Sequence, residues 1–313
     1  MIKTISQASL AVNEKLKIQK NSIRNGSSEK RICIVTGTHG DELEGQYICY
    51  ALGEYLKENI SKLNGTVDIY PALNPLGIDS IMRGIPGYDL DMNRTFPGTE
   101  SGTMPEMVAH EILDDMKGAD ICIDIHASNI FLREIPQIRM SVPTSEMLLP
   151  YAKMLNVDFV WVHASATVLE STLAHSLNST GTKTLVVEMG VGMRITKEYC
   201  KQLMDGIINL LVNLEMLTDV EAPEVREPIV SLDGAVGFIN SPAAGIFVPE
   251  ISFGSIVEEG DIIGKIVNPL TGAVAENAVA SCSGLLFTLR EYPVVYGGSL
   301  IARILRQEDI NNE

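Results

Sequence analysis

Ile32-Cys33-Ile34-Val35-Thr36-Gly37-Thr38-His39-Gly40-Asp41-Glu42-Leu43-Glu44-Gly45 is the stretch that decides the fold. Its β-branched and apolar residues from Ile32 to Thr36 predict a buried strand, Gly37 and Gly40 a tight turn, and Asp41 to Tyr55 a helix within a helical stretch near 42 to 60. A turn in that position lies at the carboxyl end of a strand, where open α/β sheets carry their sites. It holds His39 and, three residues on, Glu42. An imidazole and a carboxylate so spaced can point the same way and share one metal ion, which is half of a zinc site.

Two more strands run into side chains of similar chemistry. Ile121 to Ile125 leads straight into His126, and Leu185 to Val187 into Glu188, followed by Met189 and Gly190. Further strands are predicted at Thr66 to Ala72, Ile138 to Val142 and Phe159 to His163, with helices near 104 to 117, 144 to 155, 168 to 178 and 196 to 217. Such alternation implies an α/β fold, a mainly parallel mixed sheet sandwiched by helices. His39, His126 and Glu188 then gather at one sheet edge. Residues 1 to 30 end in Asn25-Gly26-Ser27-Ser28 and read as a peripheral hairpin or edge strand.

Between these strand ends lie Asn74-Pro75-Leu76-Gly77, Arg83, and the run from Asp89 to Gly98. The segment has no clear period, and loops of that length inside a compact domain are usually functional. Arg83 and Arg94 are cations in an anionic chain, and Asn93 beside Arg94 offers donors suited to a carboxylate.

Composition narrows the classes. The chain has 313 residues, 45% apolar and 20% charged, which is an ordinary globular balance with room for two domains. A formal charge of -16 with no offsetting Lys/Arg stripe argues against nucleic acid. No stretch approaches the roughly 20 apolar residues of a membrane span. The N-terminus lacks an apolar signal core, so a cytoplasmic protein is expected. The five cysteines are scattered and read as reduced core thiols, leaving any metal to oxygen and nitrogen ligands. Serine-hydrolase, P-loop and dinucleotide fingerprints are missing from the sequence.

In order, H-x-x-E, N-P-x-G, Arg, D-x-N-R-x-F-P-G, D-x-H and E-x-G resemble the succinylglutamate desuccinylase and aspartoacylase family, a branch of the zinc carboxypeptidase superfamily. The resemblance covers roughly residues 30 to 215. It implies one Zn²⁺ per chain on His39, Glu42 and His126, with Glu188 as general base and acid and Arg83 beside the scissile carbonyl. It further implies Asn93 and Arg94 on a substrate carboxylate, and Asp91 hydrogen-bonded to the first zinc histidine. One departure bears on the substrate: the loop reads Asp89-Leu90-Asp91-Met92-Asn93-Arg94 where D-L-N-R is usual. Arg133 and Arg139 match no family position and are pocket candidates with open roles. His110, His163 and His175 match no motif and are expected in core or surface positions.

After Leu217, Thr218 to Pro228 is acidic and proline-containing, a linker between a catalytic domain (1–217) and a β-rich domain (229–313). The latter repeats: Ser241 to Phe247 is echoed by Ser281 to Phe287, and Val257 to Gly260 by Val295 to Gly298. This predicts a two-fold small β barrel resembling the barrel-sandwich domains of biotinyl and lipoyl carriers. Its expected hairpin, Asn268 to Gly272, has no lysine to modify, which argues against a carrier role.

The activity expected is zinc-dependent hydrolysis of the amide bond of a small anionic N-acyl amino acid or amine. A zinc carboxypeptidase acting on peptides is the alternative, and a barrel leaning over the cleft would favour the small substrate. A non-catalytic binding protein would be expected to lack a ligand or the base, and all four of His39, Glu42, His126 and Glu188 are present. Homo-oligomerisation stays open.

Overall fold

The computed structural model describes residues 1–163, 170–231 and 236–307. The chain opens with a hairpin, β1 (Ile2–Ser9) and β2 (Lys15–Asn25), followed by β3 (Arg31–Val35), α1 (Glu44–Glu58), β4 (Gly65–Tyr70), α2 (Pro75–Ser80) and α3 (Met104–Met116). Next come β5 (Ile121–Ala127), β6 (Leu132–Ser141), α4 (Val142–Ala152), β7 (Phe159–His163), α5 (Leu173–Ser179), β8 (Lys183–Gly190), α6 (Lys197–Asn213) and β9 (Ile229–Ser231). The C-terminal strands are β10 (Val236–Asn240), β11 (Gly245–Pro249), β12 (Ile256–Val257), β13 (Ile262–Asn268), β14 (Ala273–Val279), β15 (Gly284–Arg290), β16 (Val294–Val295) and β17 (Leu300–Arg306).

The central sheet runs β1-β2-β4-β3-β5-β8-β6. Its middle is parallel, with β3 between β4 and β5 and β8 beside β5. Alternate residues of β3 serve two cores: Ile32 and Ile34 pack in one cluster, Cys33 and Val35 in the other. An unbroken apolar run is what a strand covered on both faces needs. The same alternation in β8 sends Leu185, Val187 and Met189 into a core and leaves Thr184, Val186 and Glu188 on the opposite face.

Several expected bounds move. The helix begins at Glu44 rather than Asp41, because the Glu42 carboxylate is committed to His39, His126 and the Ala127 amide. The strand expected at 138–142 is the longer β6, antiparallel to β8, with a register shift between Glu134 and Gln137 that accommodates Pro136. Helix α4 starts earlier, at Val142, and α6 stops at Asn213. The helix expected at 168–178 is the shorter Leu173–Ser179, and positions 168 and 169 lie outside the described residues.

At β6 the sheet forks. Its C-terminal half pairs with β7, and β7 with β9, while its N-terminal residues pair with β15. The sheet therefore continues through β15, β17 and β10 into the C-terminal region. There the sequence repeat becomes two-fold pairing. The contacts β10·β17, β15·β17 and β12·β15 recur as β14·β13, β11·β13 and β16·β11 when the halves are exchanged.

Phe287 of β15 fastens this junction, with ring centroids 5.1 Å from Phe159 and 5.5 Å from Trp161, and it is fully buried. Phe287→Ala should therefore lower unfolding free energy by about 3–5 kcal/mol in urea titrations, the range for deleting a buried aromatic ring.

Candidate active site and metal centre

The histidines and acids reach one point because each ends a buried strand. His39 stands in the turn after β3, and His126 and Glu188 are direct neighbours in the register of β5 and β8. Gly40 lets that turn close down on α2: a Cβ there would lie 2.0 Å from the Gly77 carbonyl carbon. Asn74 caps α2 by accepting from the Gly77 amide at 3.0 Å, and its own amide donates to Gly84 at 2.9 Å, anchoring the loop that carries Arg83. Gly190, at φ 66, completes the turn after Glu188, and a Cβ there would meet the buried Glu44 carboxylate.

His39 Nδ1 is 2.7 Å from Glu42 Oε1, His126 Nδ1 is 2.9 Å from Glu42 Oε2, and the two Nδ1 atoms are 3.2 Å apart. All three residues are buried, and their donor atoms lie within 4.8 Å of one another. The outer nitrogens are backed by acids. His39 Nε2 is 3.0 Å from Asp91 Oδ1, and His126 Nε2 faces Asp124 Oδ2 at 3.2 Å without hydrogen-bond geometry. Asp91 Oδ1 also accepts from the Asn93 amide at 2.8 Å, which accounts for the spacing of the D-x-N-R segment.

Electrostatics around the cluster favours a cation. Burial works against charge on His39 and His126, yet Glu42 with Asp91, and Asp124 with Glu42, outweigh it and raise both imidazoles above their ordinary range. Burial likewise opposes ionisation of Glu42, and the two imidazoles hold it well below the usual carboxylate range. Two convergent imidazole nitrogens and a carboxylate, with acids behind them, are the donor set and backing that suit a divalent metal. Arg83 caps it, with Nη1 on Glu42 Oε1 at 2.8 Å and Nη2 3.5 Å from Asp91 Oδ2.

The cluster opens into a cavity of about 820 Å³. Arg83, Asn93 and Arg94 line one side; Asn93 Oδ1 accepts from the Leu173 amide at 2.9 Å, and the Arg94 guanidinium donates to the Asn93 carbonyl at 2.8 Å. Glu188 lies between the cluster and the opposite wall, its side chain 17% exposed. Burial pushes its pKa up, opposed by Arg139 and His126.

Of the two arginines whose roles were open, Arg139 lines the cavity, whereas Arg133 sits over Tyr199 and Phe253. His163 and His175 are neither core nor open surface: both line the cavity. The D-x-H motif contains Asp124 without giving it a role, and Trp161, Phe238 and Arg303 lie in no motif. Asp124 was within reach, since period-two alternation puts it on the face of His126. Arg303 carries no local signal.

The arrangement is a candidate mononuclear metal centre at the carboxyl edge of a mixed α/β sheet. Residues 28–214 match the model of the succinylglutamate desuccinylase/aspartoacylase catalytic domain, and the chain belongs to that family. The N-alpha-acetyl-L-2,4-diaminobutyric acid deacetylase of Halomonas elongata is 23% identical over 247 residues, 76% of this chain and 71% of that protein. Among solved structures, the product-bound ectoine utilization protein EutE (DoeB) from Ruegeria pomeroyi has a TM-score of 0.82 at 20% identity, covering 95% of this chain and 92% of that one. A succinylglutamate desuccinylase/aspartoacylase from Rhodobacter sphaeroides gives 0.80 at 23%, covering 97% and 95%. These likenesses show a shared fold.

His163 supplies a pH test. Burial, then Arg139 and Arg303, lower its pKa to about 4. Its imidazole NMR signals should stay in the neutral position from pH 8 down to about pH 5. The unfolded chain takes up the proton near the ordinary value of about 6.5, so this histidine should reduce stability as pH falls from there toward 4.

Proposed function

We propose that the protein is a zinc-dependent deacylase of small N-acyl amino acids, with His39, Glu42 and His126 as the metal ligands. The observation that carries this reading is the meeting of the three donors with Glu188 on the adjoining strand, inside a cavity lined by Arg83, Asn93 and Arg94. Zinc, when bound, supplies a Lewis acid for the amide carbonyl and lowers the pKa of water toward ~7.

The remaining steps fall to the chain. Glu188 takes the proton of the attacking water and returns it to the amine nitrogen as the C–N bond breaks. Arg83, held by Glu42 and Asp91, presents its guanidinium beside the carbonyl oxygen and supports the charge that develops there. The Asn93 Oδ1 is already taken by Leu173, which turns its amide NH₂ and the neighbouring Arg94 toward a substrate carboxylate. Asp91, by accepting from His39 Nε2, fixes the tautomer that leaves Nδ1 as the nitrogen that would hold the metal.

A small substrate is favoured over a peptide because Phe238 and Arg303, from the C-terminal barrel, wall the cavity. Its volume lies within the ~300–1,000 Å³ of small-molecule sites. The family relatives include a deacetylase of N-acetyl-diaminobutyrate, so that amide belongs in the test beside N-acetylaspartate and N-succinylglutamate.

Protein purified without chelator should carry about one zinc per chain by elemental analysis and release free amine from one of these three amides. His39→Ala should lose the zinc. Glu188→Gln should keep zinc and substrate affinity yet lose about 10²–10⁴-fold in turnover, because an amide cannot shuttle protons. Zinc retained by the His39 variant, or near-normal turnover by the Glu188 variant, would refute the assignment.

Arg94→Ala should cost a carboxylated substrate about ten- to hundredfold in kcat/KM and its methyl ester far less. Equal losses for acid and ester would assign Arg94 to loop support instead.

A further inference from the structure

Behind Glu188 lies a charged cluster to which neither the sequence motifs nor the family resemblance assigns a role. Glu134 of β6 is 1% exposed and receives two guanidiniums. Arg139 Nη2 donates to its two oxygens at 2.9 and 2.7 Å, and Arg303 Nη1 of β17 donates to Oε1. Thr288 of β15 adds a hydroxyl to the same oxygen at 3.2 Å. The other edge of Arg139 meets Glu188, with Nη1 3.5 Å from Oε1. Both guanidiniums lie over the Trp161 ring, at 5.5 and 5.7 Å from its centroid.

The duplicated half of the barrel makes a different use of the same positions. In β15·β17 the cross-strand partners are Thr288 and Arg303, and in the equivalent pair of the other half, β11·β13, they are Val248 and Lys265. The duplicate keeps a basic residue but pairs it with the exposed Glu250, whereas the half that adjoins β6 and the cavity turns its arginine to the buried Glu134.

We infer that Arg303 is a positioning residue for Glu188, acting through Glu134 and Arg139, so that the C-terminal barrel helps to set the catalytic base. This rests on the reading of Glu188 as base. Arg139 stands between two carboxylates, and the nearer one, Glu134, would by itself draw the guanidinium away from Glu188. Arg303 and Thr288 share the charge and lone pairs of Glu134, so Arg139 is held by it without being fully claimed. The remaining guanidinium edge then orients the Glu188 carboxylate toward the reacting atoms. A buried charge with two shared partners fixes position more tightly than one with a single partner, since every displacement breaks a charge-assisted bond.

The test is a double-mutant cycle on the best substrate of the screen above, with kcat, KM and zinc content measured. Arg303→Ala and Glu134→Gln should each lower kcat about tenfold at unchanged zinc content, and the double variant should be no worse than either single one, as residues acting in one network behave. KM should stay within about twofold. Arg303→Lys keeps the charge without the planar fork and should lose about threefold; it serves where the alanine variant does not fold. Trp161, the chain's single tryptophan, gives a reading without turnover: its emission should shift in Glu134→Gln, as the guanidiniums over the ring lose their shared anchor.

Additive losses in the cycle, or unchanged Trp161 emission in Glu134→Gln, would overturn the inference. So would a loss confined to KM and to substrates with a second carboxylate, which would make Arg303 a substrate anchor. Glu188→Gln is measured separately, so failure of the base assignment is read apart from failure of the Arg303–Glu134 coupling.

Discussion

Everything at this site depends on holding two imidazole nitrogens and a carboxylate within a few ångströms of one another away from water. His39 and His126 bring their Nδ1 atoms to 3.2 Å, and the Glu42 oxygens reach both. Like donors at that separation repel unless positive charge lies with them, and burying them raises the cost. The chain meets this with acids at each outer nitrogen and with a scaffold that cannot relax: strands buried on both faces, and a turn locked by the contact of Gly40 with Gly77. A site of this kind needs rigid neighbours before it needs reactive ones.

That dependence explains which parts of the sequence were legible. His39, His126 and Glu188 end apolar runs, and a buried strand interrupted by a titratable residue at its carboxyl end is a local signal. Glu42 was legible through its spacing from His39, although its attachment to a helix was not. The demand of two imidazoles on its carboxylate keeps that residue out of α1. Asp91, Asn93 and Arg94 were legible as a segment, and the reason for their spacing appears only when Asp91 is seen bridging His39 and the Asn93 amide.

What was not legible is chiefly long-range. Glu134 and Arg303 are 169 residues apart, and neither lies in a pattern that marks it. The strand β6 was half hidden, because Pro136 and the charged Arg133 and Glu134 break the apolar run that would have announced it. The histidines His163 and His175 show the converse failure. Residues without a motif were assigned to background, whereas the folding of α5 and β7 around the cavity puts both on its wall. The repeat in the C-terminal half was readable because duplicated glycines are local, and its two-fold pairing follows the sequence echo.

The fork at β6 has a further consequence for how the chain meets copies of itself. A duplicated barrel starts with two equivalent strand borders, and a border that can add one strand can in principle add another from any source. Here the border formed by β15 is consumed by β6. Its twin on β11 ends in Pro249, at the position equivalent to Leu289, and proline has no amide hydrogen to offer an incoming strand. One residue difference between the duplicates thus separates a border that joins the catalytic half from one closed to strand addition. It spares the molecule the open-ended assembly that two identical borders would invite.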